Sequence, residues 1–135
     1  MSSIVTIFRG IMNDFKSYKD LEIYVNSMNL FLKLHPQTLK LPKYEWYELG
    51  SQLRRSSDSV VSNIVEGYGR RKYKADFIRF LVFSHASCLE TINHINKIAV
   101  LYPDLKMNFE PFIQDYEYLG GKIFNFIKYV EQNWK

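Results

Sequence analysis

Seven basic side chains between residues 50 and 80 form the densest single-sign charge in this sequence: Arg54, Arg55, Arg70, Arg71, Lys72, Lys74 and Arg79. Only Asp58, Glu66 and Asp76 oppose them there. The segment therefore carries a balance of +4, which is the whole net charge of the chain. Charge gathered in this way suits a polyanion, and a guanidinium can fork onto two phosphate oxygens. The run Arg70-Arg71-Lys72-Tyr73-Lys74 adds an aromatic ring to the cluster. Such a run can grip a phosphate backbone without reading sequence, while Tyr73 or Tyr68 stacks on an unpaired base. The competing reading is a solvated turn. Arg54 and Arg55 are adjacent, hence about 100° apart on a helix, and cannot both face a core. They serve either as phosphate contacts or as ion pairs to acidic groups of a neighbouring helix or subunit.

Catalytic chemistry has little to stand on. Glu66 falls at a helix C-terminus, where the macrodipole disfavours it, so Arg54, Arg55 or Arg70 should compensate it. It has no second carboxylate or histidine at a useful spacing. His85, Cys88, Glu90 and His94 share one helical stretch, as i,i+3 and i,i+4 pairs. A di-iron bundle needs Glu-x-x-His from two helices, and that pattern is absent. Ser56, Ser57, Ser59 and Ser62 have no partnering histidine, and no phosphate-cradling glycine loop occurs. The expectation is a protein with no enzymatic activity and no cofactor or metal.

The elements that must position the basic residues are all helical. Ile4, Ile7, Phe8, Ile11, Met12 and Phe15 mark one stripe of a short N-terminal helix, within an extension spanning residues 1–17. A second helix starts near Asp20, with Leu21, Val25, Met28 and Leu32 on its inner face, widened by Tyr24 and Phe31. It should end before Pro36, because a residue preceding proline is pushed out of the α region. A linker, Pro36 to Lys43, leads to a helix over about Tyr44 to Glu66 carrying Trp46, Leu49, Leu53, Val60 and Ile64. Gly67 suits the left-handed residue that closes it. After the basic loop comes the longest helix, from Lys74 to Tyr102–Pro103, about 40 Å long. Its heptad seam is Phe77, Leu81, Ser84, Cys88, Thr91, Ile95, Ile98 and Tyr102. Phe80 and Phe83 lie off that seam, where they can meet another subunit. The last helix opens near Asn108, with Pro111 in its first turn and Phe112, Tyr116, Leu119, Ile123, Phe126 and Val130 as its stripe. Gly120-Gly121 in its middle marks tight packing or a bend. Short connections between long helices favour antiparallel neighbours. The fold class is all-α: an up-down-up-down four-helix bundle over residues 18–135.

Composition agrees. Apolar residues make up 47% and charged residues 24% of 135 residues, enough for one full core. The single cysteine, Cys88, allows no intrachain disulfide and fits a reducing compartment. No apolar run reaches the length needed to cross a bilayer, and the first residues lack a secretory pattern, so a cytoplasmic location without membrane contact is expected.

Tyr47 to Leu81 holds three linked motifs: Gln52-Leu53-Arg54-Arg55-Ser56, Asn63-Ile64-Val65-Glu66-Gly67-Tyr68-Gly69-Arg70 and Phe77-Ile78-Arg79-Phe80-Leu81. Together with Tyr18-Lys19-Asp20-Leu21-Glu22-Ile23-Tyr24, they resemble the signature of the small four-helix bundle proteins named after 23S rRNA intervening sequences. The resemblance covers about residues 18–130. It implies a bundle that assembles into a homo-oligomeric ring, commonly a pentamer, with no assigned enzymatic activity. Distant relatives are accessory proteins of diversity-generating retroelements, which implies nucleic acid and a protein partner. The extension at residues 1–17 departs from that pattern, as a docking element or a variable addition. The resulting expectation is a self-assembling bundle binding structured RNA or DNA through the seven basic residues. The alternative is a protein–protein adaptor or scaffold with no nucleic-acid role.

Overall fold

The computed structural model describes residues 16–135. The helix expected from Ile4 to Phe15 lies outside the described residues. Four long helices carry the fold: α1 (Glu22–Thr38), α2 (Leu49–Gly69), α3 (Lys74–Leu101) and α4 (Pro111–Asn133). Short 3-10 turns at Tyr18–Asp20, Lys43–Glu45 and Pro103–Leu105 and a one-turn helix at Lys106–Phe109 complete it. There is no strand among the described residues.

Each helix buries a stripe stepping by three and four. The α2 stripe is Leu53, Val60 and Ile64, and the α3 stripe is the expected seam from Phe77 to Ile98. On α4 it is Tyr116, Leu119, Ile123, Phe126 and Val130. These side chains form one core cluster, joined by Leu21, Leu34, Leu41 and Phe109. A buried side chain of this size stabilises by about 1.5–3 kcal/mol relative to exposure, which is why the stripes face inward together.

The helices alternate in direction. Along the α2–α3 contact, Ser56 meets Thr91, Ser59 meets Ser87, Val60 meets Ser84, and Gly67 lies against Phe80. Numbers rise on one helix as they fall on the other. The α3–α4 contact behaves likewise, with Gly120 beside Cys88, Phe126 against Phe77, and Lys74 reaching Glu131. Glu22 pairs with Lys122 on α4 and Gln37 with Asn108 in the one-turn helix that leads into it, so α1 and α4 run antiparallel. The all-α up-down-up-down bundle read from the periodicity is therefore the fold.

Four local expectations are corrected. First, α1 does not stop before Pro36 but runs to Thr38. Leu34 and Thr38 are buried there, the Thr38 hydroxyl donates to the His35 carbonyl, and i→i+3 bonds continue the chain to Leu41. Packing outweighs the proline penalty in a last turn, where few backbone bonds are lost. Second, the inner face of α1 is Ile23, Ser27, Leu30 and Leu34, while Val25 and Leu32 point to solvent. The serine at the centre of the true stripe hid it. Third, α2 begins at Leu49 rather than Tyr44, after a 3-10 turn at Lys43–Glu45. Fourth, Gly67 is not left-handed; no residue described has that conformation, and α2 continues to Gly69. A Cβ at Gly67 would sit 3.1 Å from Phe80 Cβ and 3.3 Å from the Phe77 carbonyl oxygen. Glycine is there for close helix approach.

Candidate nucleic-acid interface

The turn between α2 and α3 gathers Arg70, Arg71, Lys72, Lys74 and Arg79 at one end of the bundle. The turn is built by its neighbours. Arg70 N–H closes α2 on the carbonyls of Glu66 and Gly67, and Tyr73 N–H bonds to the Arg70 carbonyl. The tail of α4 packs across it: Trp134 Nε1 donates to the Arg71 carbonyl at 2.9 Å, and its ring stands edge-on to Phe77 at 5.3 Å. Lys74 Nζ donates to the Glu131 carbonyl near the C-terminal end of α4, where a cation offsets the helix dipole.

The guanidinium groups are held at defined angles. Arg71 lies over the Tyr68 ring at 4.0 Å and donates to the Tyr68 carbonyl at 2.9 Å. Arg70 pairs with Glu66 at 2.9 Å, so it is the residue that compensates that carboxylate. Arg70 and Arg79 also flank the Phe80 ring, at 4.8 and 5.4 Å, with Asp76 within 4 Å of each. Lys72 and Tyr73 are exposed, with the ammonium 5.7 Å from the ring centre.

Arg54 and Arg55 are not part of this corner. Arg55 is exposed on α2, fifteen residues before Arg70 and so about 22 Å away along the axis. Arg54 turns inward, donating to Thr38 Oγ1 at 2.7 Å and to the Trp46 carbonyl. Gly50 leaves room for it: a Cβ there would be 3.0 Å from Arg54 Nη1. Arg54 bonds to neutral groups, not to the acidic partner its sequence context suggested. Sequence reasoning also missed Trp134, although it continues the α4 stripe four residues beyond Val130.

Residues 19–124 match the family model of the 23S rRNA-intervening sequence protein, over most of the chain. The chain belongs to that family. The matched span takes in all seven basic residues and leaves the last turns of α4, with Trp134, outside it. A comparison with curated proteins finds no match.

Within this intervening-sequence bundle His85, Cys88, Glu90 and His94 lie along α3. Cys88 is buried on the seam, and burial pushes its thiol up to about 12. His94 is buried with Nε2 3.4 Å from Glu90, and its Nδ1 has no partner. Among the described residues no three His, Cys, Asp or Glu side chains gather closely enough to hold a metal ion. Nor, among them, is any helix long and apolar enough to cross a membrane. At the end opposite the basic corner, Tyr102 donates to Glu45 at 2.5 Å and meets the Tyr44 hydroxyl at 3.1 Å. The carboxylate raises the phenol above its ordinary range.

Proposed function

We propose that this chain is a non-enzymatic, self-associating helical bundle whose basic corner engages the phosphate backbone of structured RNA or DNA. One observation supports it above the others: Arg70, Arg71, Lys72, Lys74 and Arg79 gather at one corner of the bundle, where the three arginines lie against aromatic rings. Arg70, Arg71, Lys72 and Arg79 are the contacts. Lys74 and Arg54 hold the bundle ends together, and Arg55 is a separate point on α2. Several copies in a ring, a pentamer in the favoured arrangement, would repeat the corner and raise affinity without new contacts.

The outward side of α3 supports self-association. Val82, Ala86, Leu89, Asn93 and Val100 form an uncharged strip on the side away from the core seam, bounded towards the basic corner by Arg79. Val82 and Leu89 are exposed. A second copy laid on this strip would bury it.

Fluorescence anisotropy with a labelled RNA hairpin, across a salt series, tests the nucleic-acid role. Lys72→Glu with Arg79→Glu should weaken binding and reduce the slope of log K against log salt by roughly one for each phosphate contact removed. Equal affinity and slope for variant and parent would reject these residues.

The second reading, an adaptor for protein partners, draws on the opposite end of the bundle. Tyr44, Tyr47, Val100, Leu101 and Met107 are all exposed there. Capture of a protein partner that is lost in Met107→Glu, with RNA affinity unchanged, would favour it.

A further inference from the structure

Aromatic rings crowd the basic corner, and most of them are already engaged. Tyr68 is buried beneath the Arg71 guanidinium, with Tyr18 edge-on to it at 6.5 Å. Phe77 is fully buried, with Phe126 and Trp134 edge-on to it. Phe80 carries Arg70 and Arg79 and stands against Phe83. Tyr73 differs from all of these, being 62% exposed. Of the two tyrosines that the sequence offers for stacking, Tyr73 is the open one.

Its ring is carried on a held backbone. The Tyr73 N–H donates to the Arg70 carbonyl at 2.9 Å, and the Tyr73 carbonyl accepts from the Phe77 N–H at 3.0 Å. Lys72, one residue earlier, brings its ammonium to 5.7 Å from the ring centre. A single exposed tyrosine is ordinary on a protein surface. Here the open ring lies inside the densest positive charge of the chain, between Lys72 and Lys74.

An open ring among cations selects between nucleic acids. Within a duplex each base is stacked on its neighbours and shows only its edges in the grooves. A tyrosine ring reaches the face of a base only where the strand is unpaired, in a loop, a bulge or an end. Stacking one base on an aromatic side chain raises affinity by roughly fivefold to a hundredfold and tolerates every base, because each has a π-face.

We propose that the corner takes an unpaired nucleotide, its base stacked on Tyr73 and its flanking phosphates on Lys72 and the arginines beside it. This rests on the nucleic-acid reading of the corner and narrows the ligand to RNA or DNA in which a duplex is interrupted by a single-stranded bulge or loop. The base is held by its face, so its identity matters little.

Fluorescence anisotropy with two labelled RNA duplexes of equal phosphate number, one fully paired and one carrying a bulge, tests this on the full chain. The parent should prefer the bulged RNA by roughly fivefold or more. Tyr73→Ala should abolish that preference, leaving affinity for the paired duplex and the salt slope unchanged, because no phosphate contact is lost. Tyr73→Phe should keep the preference, since the ring and not the hydroxyl is required. Tyr73 is exposed, so unchanged thermal melting of both variants would confirm the fold. Equal parent affinity for the two RNAs, a preference that survives Tyr73→Ala, or its loss in Tyr73→Phe would overturn stacking on this ring. If Lys72→Glu with Arg79→Glu weakens both RNAs while Tyr73→Ala changes neither, the phosphate role stands and this inference alone falls. No binding of either RNA by the parent would reject both.

Discussion

Arg54 on α2 donates to Thr38 on α1 at 2.7 Å, across the corner where the two helices meet. The same guanidinium holds the Trp46 carbonyl, so one side chain ties the end of α1, the connecting turn and the first turns of α2. Hydrogen bonds to a charged donor contribute about 1.5–3 kcal/mol each. Arg54→Ala should lower stability by about 2–3 kcal/mol in urea unfolding. Arg54→Lys should recover only part of this, because an ammonium lacks the planar fork. A loss under 0.5 kcal/mol for Arg54→Ala would show the tie to be idle.

Three glycines of these helices should respond with opposite signs. Glycine to alanine in an open helix position stabilises by up to about 1 kcal/mol. Gly69 and Gly121 have nothing within 4 Å of a new Cβ, so both should gain. Gly67→Ala should lose more than that gain, because the Phe77 carbonyl 3.3 Å away is backbone and cannot step aside. Thermal melts of the three single variants test the order.

Alkaline pH should weaken the fold through buried acids. Burial raises Cys88 from its ordinary 9.0 to about 12 and raises Tyr116 above its ordinary range. In the unfolded chain both groups release protons at lower pH. Their neutral forms favour the folded state fully below pH 9, and that advantage is lost as pH climbs from 9 to 12. For Cys88 the slope reaches at most about 1.4 kcal/mol per pH unit. Unfolding free energy measured against pH should be flatter in Cys88→Ala across this window. The native thiol should also resist iodoacetamide at pH 8 and react once urea unfolds the chain.

Lys122 on α4 pairs with Glu22 on α1, and that carboxylate raises the ammonium. The stabilisation is present below the ordinary lysine value and is lost as pH rises through the raised one. Glu22 is 61% exposed, which places the pair among surface bridges worth at most about 1 kcal/mol. Lys122→Met should cost about 0.5 kcal/mol at neutral pH, and the cost should shrink in high salt. A cost independent of salt would assign it to packing over Tyr118 instead.

The bundle was legible because α3 and α4 repeat their apolar residues over many turns, and such long stripes outweigh any local exception. Shorter α1 was misread. Val25, Met28 and Leu32 step as regularly as Ile23, Ser27 and Leu30, and periodicity cannot say which of two stripes faces the core. Gly67 was misjudged because the need for left-handed backbone and the need for close approach leave the same letter. At the basic corner, sequence supplied Arg70 to Lys74 from charge density alone. It could not supply the Trp134–Arg71 bond, which spans sixty-three positions, nor the inward turn of Arg54, which depends on the absence of a Cβ at Gly50.

The hydroxyls between α2 and α3 act as a key in a lock. Ser84 reaches the Val60 carbonyl, Thr91 reaches Ser56, and Ser59 meets Ser87. Leucines in their place would tolerate sliding by a turn, since one greasy contact resembles the next. Here a slip would strand several polar atoms in a dry gap. This hairpin therefore has one admissible alignment.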